Sequence, residues 1–350
     1  MPTRTVKLFV LLPIVALLVS ACSIITKTPT DLGIFYSSDN GSTWQQRVFV
    51  SKRKKSDLTI GNLNVYDIVF HPSDENILYA STNAGIYKSE NKGQQWSPTQ
   101  LTNAIYSDFV IDPSSPTIQY AAAGGEIFKT TTDGETWTQI YAERPGVSVT
   151  SLAINPSTTN IVWASTSAKG LLKSDDFGNT WTLITELKDA TKRIIIPKEN
   201  PSIMYAILAS NGFAKSTDSG ATWDEDITKS LDEYQGAKPI RSFHVRQKTA
   251  GDIIATSNYG ILRSTDGGES WHPLPTVVPF KTLPINDAMI DPANVNNMYF
   301  IAGNTFYRSV DGGASWQTLK SLPTTQGIAI IRINPNNYSD MYAGIIKVTK

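Results

Sequence analysis

Residues 264–271 read STDGGESW, and this octet is one of seven similar octets along the 350-residue chain. Every octet ends in Trp and carries Gly three positions earlier, usually with Asp two positions before that Gly. Successive Trp residues are 41 to 52 positions apart, with a mean near 45. Such regular spacing indicates an internal structural repeat. The other octets are SSDNGSTW (37–44), SENKGQQW (89–96), TTTDGETW (130–137), SDDFGNTW (174–181), STDSGATW (216–223) and SVDGGASW (309–316).

A second signature lies upstream of every octet except the first. It is a β-rich apolar run, a turn and then an apolar strand that usually ends in an aromatic–small pair, as in VFHPSDENILYA (69–80) and MIDPANVNNMYF (289–300). The copy at 243–255 matches least well. A final copy, RINPNNYSDMYA (332–343), follows the last octet and has no octet of its own. The chain therefore starts and stops out of phase, so its two ends together make one repeat.

This phase relation predicts the fold. Repeats of 40–50 residues built from short strands and turns are typical of β-propeller blades. Residues 32–350 divided into seven units give the observed period. We therefore predict an all-β domain over 32–350, a seven-bladed β-propeller whose first blade combines strands from 328–346 and 32–48. Closing the ring in this way leaves no unpaired sheet edge.

The octet resembles the Asp-box, or BNR, repeat, whose consensus is Ser-x-Asp-x-Gly-x-Thr-Trp. This resemblance implies that each box is the turn between the third and fourth strands of a blade. Asp and Ser side chains would satisfy backbone N–H groups, Gly would adopt a positive φ angle, and Trp would pack between blades. Asn91 and Thr132 replace the carboxylate in two boxes. We assign structural roles to Asp39, Asp176, Asp218, Asp266, Asp311, Trp44, Trp96, Trp137, Trp181, Trp223, Trp271 and Trp316.

The first residues of the chain predict its cellular location. Arg4 and Lys7 precede 12 apolar residues, Leu8 to Val19, a run too short to span a bilayer and typical of a signal peptide. The following Val-Ser-Ala-Cys resembles a bacterial lipobox. We expect residues 1–21 to be removed, Cys22 to carry the lipid, and 22–31 to form a short linker. The chain would then be anchored outside the cytoplasm, on the outer membrane where a cell has two. An ordinary signal peptide with a chance Cys is the alternative.

The composition excludes several classes of binding site and metal site. Lys and Arg together number 31, as do Asp and Glu, so the formal net charge is zero. A neutral chain lacks the basic character of a nucleic-acid-binding protein. The chain has three His and one Cys, which excludes a disulfide framework and a Cys-based zinc or iron–sulfur site. We expect no cofactor and no metal. We expect His71, His244 and His272 to be structural or exposed.

Residues at the start of each first strand should line the mouth of the central channel. Counting five positions back from the turn Pro, or its equivalent, predicts acidic residues on one arc of the mouth and basic residues opposite, with Arg193 beside Lys192. Such a charge distribution could focus a field on a ligand. The alternative is that these side chains pair with one another. The residues are Asp67, Asp108, Ser151, Lys192, Arg241, Asp287 and Ile330.

Two loops are long. Residues 49–64 carry four consecutive cations at 52–55, which suit either an anionic membrane surface or a solvated loop. Residues 224–240 are acidic and then rich in turn residues, with room for one or two helical turns.

The repeats resemble those of several propeller families, namely photosystem II assembly factor-like, sortilin-type and xyloglucanase-type domains. The first of these implies a protein partner held by a basic patch on the ring, for which Lys192, Arg193 and Arg241 are the candidates. We therefore expect a non-catalytic scaffold for a protein or peptide. The alternative is a glycoside hydrolase or glycan-binding protein that uses Asp67, Asp108 or Asp287 as acid and base.

Overall fold

The computed structural model describes residues 31–348 except 55, 247, 250, 279–282 and 320. The predicted signal peptide, Cys22 and the linker up to residue 30 lie outside the described residues. Within the described part, strands form seven radial sheets and one separate hairpin. None of the described segments is a helix long and apolar enough to cross a bilayer.

The sheets are the blades of a propeller, and their strands are numbered here in chain order. Blade 1 is composite: β1 (Gly33–Ser37), β2 (Gln45–Gln46), β28 (Gly327–Asn334) and β29 (Asn337–Ile346). A hairpin follows: β3 (Phe49–Ser51) and β4 (Leu58–Thr59). Blade 2 contains β5 (Val65–Phe70), β6 (Leu78–Thr82), β7 (Gly85–Ser89) and β8 (Ser97–Thr102). Blade 3 contains β9 (Asp108–Ile111), β10 (Gln119–Ala123), β11 (Glu126–Thr130) and β12 (Thr138–Ala142).

The remaining blades continue the same order. Blade 4 contains β13 (Val149–Ile154), β14 (Val162–Thr166), β15 (Gly170–Ser174) and β16 (Thr182–Glu186). Blade 5 contains β17 (Thr191–Ile195), β18 (Met204–Leu208) and β19 (Phe213–Ser216). Blade 6 contains β20 (Ile240–Val245), β21 (Ile253–Ser257), β22 (Ile261–Ser264) and β23 (His272–Leu274). Blade 7 contains β24 (Ile285–Ile290), β25 (Met298–Ala302), β26 (Thr305–Ser309) and β27 (Gln317–Thr318).

Blade 1 confirms the predicted closure. Strand β29 pairs with β28 on one side and with β1 on the other, so strands from distant parts of the sequence share one sheet. At the edge of this blade the Tyr36 hydroxyl donates to Asp340 Oδ1 at 2.7 Å. Lys92, from the box of blade 2, lies 2.9 Å from Asp340 Oδ2. The closing sheet is thus tied to the next blade by a buried carboxylate.

The second strand of most blades is buried along its whole length. Leu78–Thr82, Val162–Thr166 and Met298–Ala302 have no exposed residue because the two neighbouring blades cover both faces. This explains why the second signature is a continuous apolar run rather than an alternating one. The fourth strand lies at the rim and is largely exposed, as at Thr182–Glu186.

The Asp-boxes have the predicted turn geometry. Asp39 Oδ1 accepts hydrogen bonds from the Thr43 backbone N–H at 2.8 Å and from the Ser37 hydroxyl at 2.7 Å. Ser37 Oγ in turn accepts from the backbone N–H of Gly41, whose φ angle is +80°. The boxes of Asp176, Asp218, Asp266 and Asp311 repeat this pattern.

The two boxes without Asp at this position keep the turn. The side-chain oxygen of Asn91 accepts from the Gln95 N–H at 2.8 Å, and the hydroxyl of Thr132 accepts from the Thr136 N–H at 3.0 Å. In a typical box, hydrogen bonds from Thr180 and Ser174 lower the pKa of Asp176 to about 2. The side chain at the Asp position of each box is therefore occupied by its own turn.

The box Trp residues fall into two groups. Trp96, Trp271 and Trp316 are buried. The indole N–H group of each donates a hydrogen bond to the preceding blade, just after its fourth strand for Trp96 and Trp316 and after its third strand for Trp271. Trp96, for example, donates to the Arg47 carbonyl at 3.0 Å. Trp181 and Trp223 are only half-buried and donate to the Gly carbonyl of their own box. Trp44 and Trp137 are half-buried as well.

Strand direction separates the two ends of the propeller. In each blade neighbouring strands are antiparallel, so the first and third strands run the same way. The boxes that follow the third strands therefore lie at the opposite end from the starts of the first strands. The segment 224–240 contains the predicted short helix, a 3-10 helix at Asp226–Leu231, beside the three-stranded blade 5.

We predict that Trp96→Ala destabilises the protein much more than Trp181→Ala. Trp96 is fully buried between blades 1 and 2, and removing such a ring costs about 3–5 kcal/mol of unfolding free energy. Trp181 is half-buried and bonds only within its own turn, so its removal should cost clearly less. Urea unfolding followed by circular dichroism measures both. Equal losses would show that the inter-blade position of Trp96 has no special weight.

Candidate functional site

A cavity of about 270 Å³ lies where the first strands begin, at the mouth of the central channel. Its wall includes Tyr66 and Tyr106 from blades 2 and 3. It also includes seven of the eight residues that the sequence predicted at the channel mouth, all except Ser151: Asp67, Asp108, Lys192, Arg193, Arg241, Asp287 and Ile330.

The strand pairing corrects the predicted register in two blades. The mouth position is the residue of the first strand that pairs with the fourth residue of the second strand, as Asp67 pairs with Ser81. In blade 5 this position is Arg193, opposite Ile207, and in blade 6 it is Ser242, opposite Thr256. Lys192 and Arg241 lie one residue earlier, at exposed positions on the edge of the mouth. The count back from Pro fails because the turn of blade 5 has its Pro one position early and the turn of blade 6 has none.

Two of the mouth carboxylates connect neighbouring blades. Asp108 of blade 3 accepts from the backbone N–H of Leu152 in blade 4 at 2.8 Å and from the Ser151 hydroxyl at 2.9 Å. Asp287 of blade 7 accepts from the backbone N–H of Ile331 in blade 1 at 3.1 Å. These hydrogen bonds join adjacent first strands, so both side chains have a structural role.

Arg332 joins the carboxylates of Asp67 and Asp287 and was missed by the sequence analysis. Its guanidinium approaches Asp67 Oδ1 at 2.7 Å and Asp287 Oδ2 at 3.0 Å, which links blade 1 to the blades on both sides. A signal was present in the sequence. Aligning the second signatures places Arg332 where blades 2 and 3 have Val69 and Val110, so a charge stands at a normally apolar position.

His244 occupies the same aligned position in blade 6. We expected a structural or exposed residue, and it is a half-buried part of the channel wall. Its Nε2 atom lies 2.7 Å from Asp287 Oδ1. His71 has a structural role, because its Nδ1 accepts from the N–H groups of Ser73 and Asp74 in the turn.

The pKa shifts follow from these contacts. Burial alone would raise the pKa of Asp287, but the adjacent His244 and Arg332 outweigh it and lower the pKa to about 2. Burial also acts on Asp67, and there Arg332 and Arg193 hold the pKa below its ordinary value. For Asp108, burial dominates and raises the pKa despite the charge of Arg193. The acidic arc is therefore largely neutralised from within the protein.

The basic side of the mouth is less engaged. Lys192 is exposed and makes no hydrogen bond or ion pair with any residue that the structure describes. Arg241 is exposed and donates to the side-chain oxygen of Asn258. The side chain of Arg193 is 48% exposed and lies 3.6 Å from Asp67 Oδ2. These three cations therefore keep N–H donors that are not used within the described structure.

We predict that Arg332→Met lowers the unfolding free energy at pH 7 by up to about 3–5 kcal/mol, because it removes the cation shared by Asp67 and the buried Asp287 and leaves them only Arg193 and His244. The loss should shrink between pH 7 and pH 4. Wild-type Asp287, with a folded pKa of about 2, stays ionised over this range, whereas in the variant the carboxylates can take up protons. Chemical denaturation at both pH values tests this. A loss that is independent of pH would contradict the assignment, and Arg308→Met, at an arginine without these carboxylates, is the control.

Comparison with known proteins agrees with this architecture. Residues 262–273 match the family model of the BNR/Asp-box repeat. A search of curated proteins finds no match by sequence.

Solved structures show the same fold at low sequence identity. A GH74 xyloglucanase from Xanthomonas campestris superposes with a TM-score of 0.65 at 15% identity, over 86% of this chain and 52% of that one. YCF48 bound to D1 peptide gives 0.61 at 15% identity, over 81% of this chain and 94% of that one. YCF48 from Cyanidioschyzon merolae gives 0.59 at 14% identity, over 81% and 95%. The chain spans about half the length of the xyloglucanase it resembles. It is a seven-bladed β-propeller that carries Asp-box repeats.

Proposed function

We propose that this protein is a non-catalytic scaffold that binds an acidic segment of a protein or peptide at the mouth of its channel. The observation that carries the proposal is the difference between the two sides of the mouth. The carboxylates are occupied by neighbouring blades, whereas Lys192, Arg193 and Arg241 are exposed on adjacent blades with donors to spare.

The other side of the mouth suits a peptide as well. Tyr66 is 39% exposed at the edge of the cavity, and Ile105, just before the first strand of blade 3, is 57% exposed. Apolar side chains of a bound segment could pack there while an acidic group pairs with the cations. The likeness to YCF48 bound to D1 peptide supports this proposal, although at 15% identity it concerns the fold alone.

A glycoside hydrolase is the second candidate, and one observation favours it. Burial raises the pKa of Asp108 while Asp67, in the same cavity, is held ionised, and glycosidases use one protonated and one ionised carboxyl. However, both oxygens of Asp108 already accept hydrogen bonds, and Asp67 is paired with arginine. Neither side chain is free to exchange a proton with a substrate, so we place the scaffold function first.

We predict that reversing two exposed cations, Lys192→Glu with Arg241→Glu, weakens binding of a fluorescent peptide rich in Asp and Glu. The loss should be about tenfold or more at low salt and smaller at high salt, because the contacts are exposed. Fluorescence anisotropy measures it. The control is Lys52→Glu with Arg53→Glu, which changes the net charge equally on the exposed β3–β4 hairpin. Equal binding by both variants would rule out the mouth as the acidic-peptide site.

We propose further that Cys22 carries a lipid that anchors the protein on the extracytoplasmic side of a bacterial membrane. In cells with two membranes the outer membrane is expected. Cys22→Ser should move the protein from the membrane fraction to the soluble fraction and abolish incorporation of labelled fatty acid. Retention of the label by the variant would contradict lipidation at this residue.

A further inference from the structure

The channel continues below the mouth as a second chamber of about 450 Å³. Its wall is formed largely by the residues two positions after the mouth position in each first strand. In four consecutive blades these residues are apolar, and the turns with Pro72 and Pro113 lie at its far end. The four are Val69, Val110, Ala153 and Ile195.

The opposite arc of this chamber carries hydrogen-bond donors. His244 of blade 6 and Arg332 of blade 1 lie at the same level as the apolar residues, and Arg193 lies one layer above. All three line both the mouth and the chamber. Arg193 is the most accessible, because its single ion pair is long at 3.6 Å and leaves most of its N–H donors available.

We propose that this lower chamber binds an aliphatic carboxylate, with the carboxylate at Arg193 and the hydrocarbon chain along the apolar arc. The chamber has the volume of an ordinary ligand site, and an apolar wall with a few convergent polar groups is the usual composition of one. An anion is favoured over a cation because Arg193 keeps unused N–H donors. Asp67 and Asp108 also line the chamber, but Asp67 is paired with Arg332 and Asp108 accepts hydrogen bonds from backbone N–H groups. An acyl chain is favoured over a polar molecule because Val69, Val110 and Ile195 line the chamber and are only half-buried, so a ligand's hydrocarbon chain can cover them.

This site shares Arg193 with the one proposed for peptides but differs from it in the other cations. Lys192 and Arg241 line the mouth, but neither lines the lower chamber. Changes at these two residues should therefore affect acidic peptides and leave the aliphatic carboxylate unaffected. Failure of one proposal can be told from failure of the other.

The first test is calorimetric titration of the full chain with decanoate, decanol and acetate. We expect decanoate to bind with one site per chain, and acetate and decanol to bind about tenfold more weakly or not at all, since each lacks one half of the interaction. Absence of decanoate binding would overturn the proposal. Equal binding of decanol would also overturn it, because the cations would then have no part.

The second test fills the chamber. Ala153→Leu and Ile195→Trp should each weaken decanoate binding by about tenfold or more, as expected when the ligand volume is occupied. Lys192→Gln with Arg241→Gln is the matched control and should bind as the wild type does. Unchanged binding by variants whose melting temperature is normal would place the ligand elsewhere and refute the site.

A third measurement uses only the wild type, so it still tests the proposal if the chamber-filling variants do not fold. Crystals of the wild type grown with 10-bromodecanoate should show anomalous bromine density between Val69 and Ile195. Bromine density outside the channel would overturn the proposal.

Discussion

The pairing of β1 with β29 is the contact on which the rest of the structure depends. It joins strands some 300 residues apart, so it carries a large loop-closure cost that local turns cannot offset. Once the ring is closed, every first strand has a neighbouring blade on both sides. Only in the closed ring do Asp67, Asp287 and Arg332 meet, and so the channel has a defined wall because the ring closes.

Much of the fold could be predicted from the sequence because its signals are local. A box turn needs a Ser or Thr, a side-chain acceptor and Gly within a few residues, and these recur even where Asn91 or Thr132 replaces the carboxylate. The phase offset between boxes and second signatures was enough to predict the composite blade. Strand bounds in that blade agree closely with the prediction.

The site was less predictable because its register and its charges depend on contacts between blades. The Pro of a turn can shift by one residue while the strand pairing stays fixed, and this moved Arg193 into the position predicted for Lys192. Arg332 and His244 occur once each, at positions that are apolar in most other blades, so only their departure from the repeat marks them in the sequence. His244 and Arg332 both contact Asp287, which is 43 and 45 residues away along the chain. Arg332 also contacts Asp67, which is 265 residues away.

Arg332 also has a consequence for how the protein is made. It is synthesised 265 residues after Asp67 and 45 residues after Asp287. Until residue 332 is added, the nascent polypeptide lacks the arginine that joins these two carboxylates, and only Arg193 and His244 are present to offset their charge. A product cut short before residue 332 would lack this link between three blades permanently, which makes it a ready target for proteases that remove incomplete chains.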